Sequence, residues 1–230
     1  GLLGSNFLLT AARKYPGIKW LGVSKIHAMQ IPGANHVRCD LADELSLLRL
    51  LDKVQPGIIF HFAAPTNVDW CEEHPHETHQ QIELVSARMA AWCQASRSKL
   101  VYLSTDSVFD GRTGHYTEDD PPHPLNVYAS CKLMAERAVA NAVEDHLIVR
   151  GNIFGWNAQE KVSIAEWFLH KFATEGQAPG FTDSIFAPLL VNTLTSYLIS
   201  MVALGLRGTW HAACAKPLSK YEFGLLLAHH

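Results

Sequence analysis

Leu100-Val101-Tyr102-Leu103-Ser104-Thr105-Asp106 and, beyond a polar loop, Tyr128-Ala129-Ser130-Cys131-Lys132 decide the reading of this chain. The first is an apolar run of strand length that ends in hydroxyls. The second opens an amphipathic stretch that carries Leu133, Met134, Ala138, Val139 and Val143. Residues four apart share a helix face, so the spacing predicts that the Lys132 ammonium lies near the Tyr128 phenol. A free phenol titrates near pH ~10, and bringing it to ~7 requires roughly 4 kcal/mol of differential stabilisation of the phenolate. A fixed cation in a poorly hydrated cleft is the kind of group that supplies this. Such a phenol exchanges a proton with a carbinol oxygen, and the hydroxyl of Thr105 or Ser104 can hold that oxygen. A Tyr and a Lys fall at this spacing by accident in many chains; their place beside a hydroxyl-bearing strand end gives the pair its weight.

Outward from this point, short β-branched or apolar runs alternate with helical patterns. Residues 18–23, 37–39, 57–62, 100–103 and 147–149 read as buried strands. Residues 8–14, 44–54, 78–96 and 127–143 have helical length and periodicity. Alternation of this kind predicts an α/β fold, a Rossmann-like doubly wound parallel sheet with right-handed crossovers. Ligands of such sheets bind at the carboxyl ends of the strands, where Ala63 and Ala64, Ser104 and Thr105 fall. From Gly155 onward the regularity fades around Pro179, Gly180 and Pro188. That region is expected to form a small C-terminal substrate-side lobe rather than more of the sheet. The expected division is a nucleotide-binding domain over 1–150 and a substrate-binding region over 151–230.

The remaining composition narrows the function classes. The 230 residues are 48% apolar, ample for a core, and the net charge of −3 offers no basic field for nucleic acid. Cys39, Cys71, Cys93, Cys131 and Cys214 are odd in number and lack C-x-x-C spacing, which fits reduced thiols and a cytoplasmic location. Residues 189–206 are uncharged, but Asn192, Thr193, Thr195, Ser196 and Ser200 interrupt them, so a buried helix is expected and no membrane span. Cys71, His74, His76 and His79 resemble a zinc cluster, yet all belong to one segment at a Pro75-marked helix entrance, so no metal is expected. Glu118, Asp119 and Asp120 precede Pro121 and Pro122 and read as a solvated loop; His61 reads as a core or cleft histidine.

Gly1 and Gly4 stand at the start of the first helical run, where backbone amides can approach a pyrophosphate. The strand and first glycine of a dinucleotide fingerprint would lie before residue 1. The chain is therefore expected to lack its first strand, and its end at the helical residues 221–228 suggests a C-terminal loss as well.

Taken together, these segments resemble an extended short-chain dehydrogenase/reductase, and within that group the dTDP-4-dehydrorhamnose reductase family. The resemblance rests on Gly1-Leu2-Leu3-Gly4, Cys39-Asp40-Leu41, Phe62-Ala63-Ala64-Pro65-Thr66-Asn67-Val68-Asp69 with Cys71-Glu72, Ser104-Thr105-Asp106-Ser107-Val108-Phe109-Asp110-Gly111, and Pro124-Leu125-Asn126-Val127-Tyr128 with Lys132. It implies hydride delivery from NAD(P)H to C4 of a 4-keto-6-deoxy nucleotide sugar, with Thr105, Tyr128 and Lys132 catalytic. Tyr128 would protonate the oxygen, Thr105 would hold it, and Lys132 would also grip the nicotinamide ribose. It further implies that Gly1 and Gly4 face the pyrophosphate, Asp40 and Leu41 the adenine, and Ala63 and Ala64 the cofactor cleft. Thr66, Val68, Thr105, Asp106 and Asn152 would contact the substrate, and a homodimer is compatible.

Cofactor preference has its own physical signal. Where NAD enzymes place a carboxylate at the end of the second strand, this chain reads Gly22-Val23-Ser24-Lys25. A hydroxyl and a cation favour a 2′-phosphate, so NADPH is expected ahead of NADH.

This chain departs from the reductase pattern at Ser107, where a Tyr is usual, and at Ile153, where some relatives carry a Trp. The asparagine often seen in the fourth helix has no counterpart among Gln81, Ile82 and Glu83. Two alternatives follow from the same resemblance. One is a nucleotide-sugar epimerase or 4,6-dehydratase, the latter disfavoured because Ser107 supplies no carboxylate. The other is a non-catalytic subunit similar to the methionine adenosyltransferase regulatory subunit.

Overall fold

A computed structural model describes residues 1–158 and 162–229. Helix α1 (Leu2–Lys14) leads into β1 (Trp20–Ser24) and β2 (Ala34–Arg38), followed by α2 (Glu44–Val54) and β3 (Ile58–His61). Short helices α3 (Val68–Glu73) and α4 (Pro75–His79) precede a π-helical turn, Gln80–Leu84, which runs into α5 (Val85–Ser96). Then come β4 (Lys99–Ser104), a 3₁₀ turn at Asp106–Val108, α6 (Val127–Ala142) and β5 (His146–Phe154). The remainder comprises α7 (Ile164–Glu175), β6 (Ile185–Phe186), β7 (Pro188–Leu190), α8 (Val191–Ala203), β8 (Gly208–Ala212), β9 (Leu218–Ser219) and α9 (Lys220–Ala228).

The central sheet is parallel, in the order β3-β4-β5-β8, with β7 continuing along the distal end of β5. Successive side chains of a strand face opposite sides, and a strand covered on both sides is apolar throughout. Strand β4 meets that condition: Leu100 and Tyr102 enter one core with Leu47, Leu51, Val85, Met89, Ala135 and Val139, from α2, α5 and α6. Val101 enters the other with Leu3, Phe7, Leu194 and Leu198, from α1 and α8. Two helical layers on one parallel sheet make the Rossmann-like fold.

Strands β1 and β2 form a separate parallel pair. Phe7 links it to the main sheet, with its ring 6.0 Å from Trp20 and 4.4 Å from Phe60. Helix α2 follows the sequence closely: Asp43 accepts the Leu45 and Ser46 amides at its start, and Gln55 ends it in the left-handed region at φ 48°.

The expectation that the sheet ends with β5 is corrected. Residues 208–212 pair with β5 from Leu147↔Gly208 to Gly151↔Ala212. The strand reads Gly-Thr-Trp-His-Ala and is only partly buried, so it lacks the continuous apolar run that marks a central strand. Gly151 permits the approach, because a Cβ there would lie 2.9 Å from the Ala212 carbonyl oxygen. The later part of the chain is thus divided: β7, α8 and β8 join the sheet, whereas α7, α9, β6 and β9 gather around Phe168, Phe186 and Phe223 as a small core of their own. Residues 189–206 resolve into the end of β7 and α8, and no described helix is long and apolar enough to cross a membrane.

Candidate active site

The carboxyl ends of β3, β4 and β5 meet the N-terminal turns of α6. Helix α6 starts where Asn126 accepts the Ala129 amide at 2.8 Å, and Glu72 of α3 accepts the Val127 amide at 2.6 Å. Those two anchors fix the turn that carries Tyr128. Asn126 is legible as a cap from its place before the apolar stretch; the Glu72 anchor joins residues far apart and leaves no local signal.

Thr105 caps the 3₁₀ turn, accepting the Ser107 amide at 3.1 Å and donating to Asp106 Oδ1 at 3.2 Å. Asn152 on β5 donates to both oxygens of Asp106, at 3.4 and 3.3 Å. Thr105, Asp106 and Tyr128 converge, because the Thr105 hydroxyl and the Asp106 charge both act on the phenol.

The expected effect of Lys132 on Tyr128 is corrected. Burial first, then the Asp106 charge, pushes the phenol up to about 12, with partial relief from Thr105. Lys132 is not directed at the phenol: its ammonium donates to the Leu103 carbonyl and lies 4.2 Å from the Tyr102 ring centroid. Spacing places both residues on one helix face, but the long lysine stem turns inward to the carbonyl at the end of β4. Burial also brings the Lys132 amine down to about 7, against the pull of Glu136.

Glu136 lies one further turn along α6 and forms a buried, bidentate pair with Arg150, whose Nε donates at 3.0 and 3.2 Å and whose Nη2 donates at 2.7 Å. Arg150 also lies 5.2 Å from the Phe109 ring centroid, so it braces the loop after the 3₁₀ turn. The pair joins a helix to a strand and has no short-range sequence signature.

At the same edge, His61 Nε2 and Ser104 Oγ are buried without a hydrogen-bond partner among the described residues. Burial, then the Lys132 charge, holds the His61 imidazole down at about 3, so it is neutral. Two orphaned polar atoms at the ends of β3 and β4 mark a cleft whose chemistry fits a polar cofactor. Ala63 is exposed and Ala64 half-buried beside it, with Thr66 and Val68 exposed further along the same segment. Gly1 caps α1 and Gly4 lies in its first turn; nothing lies within 4 Å of the Cβ position of either, which leaves backbone accessible.

The adenine-side candidates sit at the ends of β1 and β2. Lys25 and Asp40 pair at 2.7 Å, and Asp40 also accepts the Ala42 amide at 3.1 Å. These contacts, led by Lys25, hold the Asp40 carboxyl below its usual range. Leu41 packs on the core, and Ser24 donates to the His27 carbonyl at 2.6 Å. Of the zinc-like cluster, His74 stacks on Trp70 at 4.6 Å and His79 meets Glu83 at 2.8 Å.

Parallel sheet, strand-end hydroxyl and Tyr-x-x-x-Lys helix together define an extended short-chain dehydrogenase/reductase fold. Within that class the chain belongs to the RmlD substrate binding domain family, whose family model matches residues 4–230. It is 30% identical over 189 residues to a probable low-salt glycan biosynthesis reductase of Haloferax volcanii, covering 80% of this chain and 63% of that protein. It is 35% identical over 197 residues to methionine adenosyltransferase 2 subunit beta of Xenopus laevis, covering 82% and 59%. With the dTDP-4-dehydrorhamnose reductase of Mycolicibacterium smegmatis it shares 28% identity, covering 80% and 57%. The chain thus spans 57% to 63% of the length of these curated relatives. Among solved structures, a hypothetical dTDP-4-dehydrorhamnose reductase from Sulfolobus tokodaii superimposes with a TM-score of 0.83 at 26% identity, covering 100% of this chain and 78% of that one. A Bacillus anthracis dTDP-4-dehydrorhamnose reductase in complex with NADP superimposes at 0.80 and 21% identity, covering 92% and 80%, a likeness of fold.

Proposed function

We propose that this protein reduces a 4-keto-6-deoxy nucleotide sugar with NADPH, NADH being the second choice. The convergence of Thr105 and Asp106 with Tyr128, at the strand edge that holds Lys132 and the two orphaned polar atoms, carries this reading. The reduced nicotinamide would supply a hydride to C4 of the sugar.

Tyr128 donates its proton to the C4 oxygen as the carbonyl becomes an alcohol. A phenol held at about 12 is protonated at neutral pH, which is the form a reductase requires, and it is still a stronger acid than the alcohol it makes. Thr105 orients the same oxygen by a hydrogen bond. Lys132 offers donors toward the nicotinamide ribose and stabilises the phenolate left after transfer. Asp106, steadied by Asn152, orients sugar hydroxyls together with Thr66 and Val68. Gly1 and Gly4 present amides to the pyrophosphate, Asp40 and Leu41 border the adenine, and Ala63 and Ala64 line the cleft between. In this reading residues 1–150 hold the cofactor and 151–230 add most of the substrate side, in a cytoplasmic protein that can form a homodimer.

The full-length protein is expected to oxidise NADPH in the presence of dTDP-4-keto-6-deoxy-L-lyxo-hexose. Absence of turnover by protein that binds NADPH would overturn the reading. An epimerase would convert its sugar with only catalytic cofactor, so product analysis without stoichiometric reductant separates the two. The likeness to methionine adenosyltransferase 2 subunit beta favours a second reading, a regulatory subunit of the same fold. Stoichiometric capture of a methionine adenosyltransferase by a protein that lacks ketoreductase activity would establish it instead.

A further inference from the structure

A cavity of about 410 Å³ opens where β1 and β2 end against α2, within the size range of about 300–1,000 Å³ typical of small-ligand sites. Lys25, Arg38, Asp40, Ser46 and Arg49 are among the residues that line it. The charges do not balance within the wall. Lys25 and Asp40 neutralise one another at 2.7 Å, whereas neither Arg38 nor Arg49 has a carboxylate within ion-pair distance among the described residues. Ser46 and Arg49 are three apart on α2, so they share a face of the helix. What remains after pairing is two guanidiniums directed at one concavity, matching the charge of a phosphate dianion and the fork geometry that guanidinium offers to phosphate oxygens.

Ser24, the hydroxyl that the sequence offers for this task, is engaged elsewhere. It donates to the His27 carbonyl at 2.6 Å and lies 2.9 Å from His36 Nε2.

Resting on the nicotinamide-cofactor reading above, we propose that Arg38 and Arg49 form the seat of the adenosine 2′-phosphate and make this protein select NADPH over NADH. Lys25 contributes by holding Asp40, so that its carboxylate does not repel the incoming phosphate. The selectivity of the site is electrostatic and resides on β2 and α2 rather than on the residue that ends β1.

Calorimetric titration of the full-length protein with NADP⁺, NAD⁺, 2′,5′-ADP, 5′-AMP and inorganic phosphate tests this directly. The wild type is expected to bind NADP⁺ and 2′,5′-ADP at least tenfold more tightly than NAD⁺ and 5′-AMP. Arg38→Ala and Arg49→Ala should each weaken NADP⁺ and 2′,5′-ADP about tenfold and leave NAD⁺ within twofold, with Arg38→Lys recovering part of the loss. Both side chains are exposed, so an unchanged circular dichroism spectrum is expected. Equal losses for NAD⁺ and NADP⁺, an unaltered NADP⁺ affinity, absence of NADP⁺ binding by the wild type, or inorganic phosphate bound as tightly as 2′,5′-ADP would each overturn the proposal. Arginine-dependent NADP⁺ binding without turnover of any keto sugar would remove the reductase reading and leave this one standing. Turnover supported equally by both cofactors would do the reverse.

Discussion

Two stretches of the same strand-end edge work by opposite physics. Around β1, β2 and α2 the charged groups lie at the surface, and Lys25–Asp40 and Arg88–Glu44 are partly solvated pairs. Around β4, β5 and α6 the charges are buried: Lys132, Glu136 and Arg150 are 4%, 4% and 7% exposed. Exposed charge gives selectivity and steering that salt can screen, whereas buried charge resists screening and costs stability when its partner is lost. One end of the edge is built to recognise an anion and the other to hold a proton donor in place.

The sharpest way to break this comparison is at Tyr128. Tyr128→Phe is expected to lower ketoreduction by about 10³-fold, within the usual range of about 10²–10⁴ for a general acid, while NADP⁺ affinity changes by less than about threefold. Steady-state kinetics beside calorimetry checks both halves; an equal loss of binding would mean that the two ends are not separable.

Next in size is the buried pair. Glu136→Ala leaves Arg150 charged and unpartnered in the core, so a loss of about 3–5 kcal/mol is expected in urea unfolding. A Lys25→Ala control at the exposed pair should change stability by less than about 1 kcal/mol.

Smaller again is the effect of the buried amine. The folded pKa of Lys132 is about 7, below its ordinary value of 10.5. Its burial therefore destabilises the fold fully below pH 7, and the penalty is relieved as pH rises from 7 toward 10.5. Lys132→Met is expected to melt a few degrees above the wild type at pH 6, with the gap closing by pH ~10, even as activity is lost. A gap that widens with pH would contradict the burial of a protonated amine. The smallest expected effect is ionic: raising salt should weaken NADP⁺ binding while kcat stays nearly constant, measured by titration at several salt concentrations.

Much of this molecule is readable from its residues. Asp43 and the spacing of Leu47 and Leu51 define α2 to the residue, and the run 100–103 identifies the doubly covered strand because both of its faces are apolar. Legibility fails where a feature depends on distant partners. Strand β8 is half-exposed, and its place is set by Gly151 on a neighbouring strand. Tyr128 and Lys132 are correctly placed on one helix, yet the direction of the lysine depends on the Leu103 carbonyl, which spacing cannot reveal. Arg38 and Arg49 look like scattered surface cations until β2 and α2 bring them to the same cavity.

The π-helical turn at Gln80–Leu84 also constrains how the chain can vary in length. A π turn of this kind holds one residue more than an α turn, and each residue of an α-helix advances the face by about 100°. Removing a single residue there would yield a more regular helix, but it would turn Val85–Ser96 by roughly that angle. Val85, Met89 and Cys93 would swing out of the core, and Arg88 would leave Glu44. A local irregularity is thus a phase setting for the helix after it, and deletion should be tolerated less well than almost any substitution at the same positions.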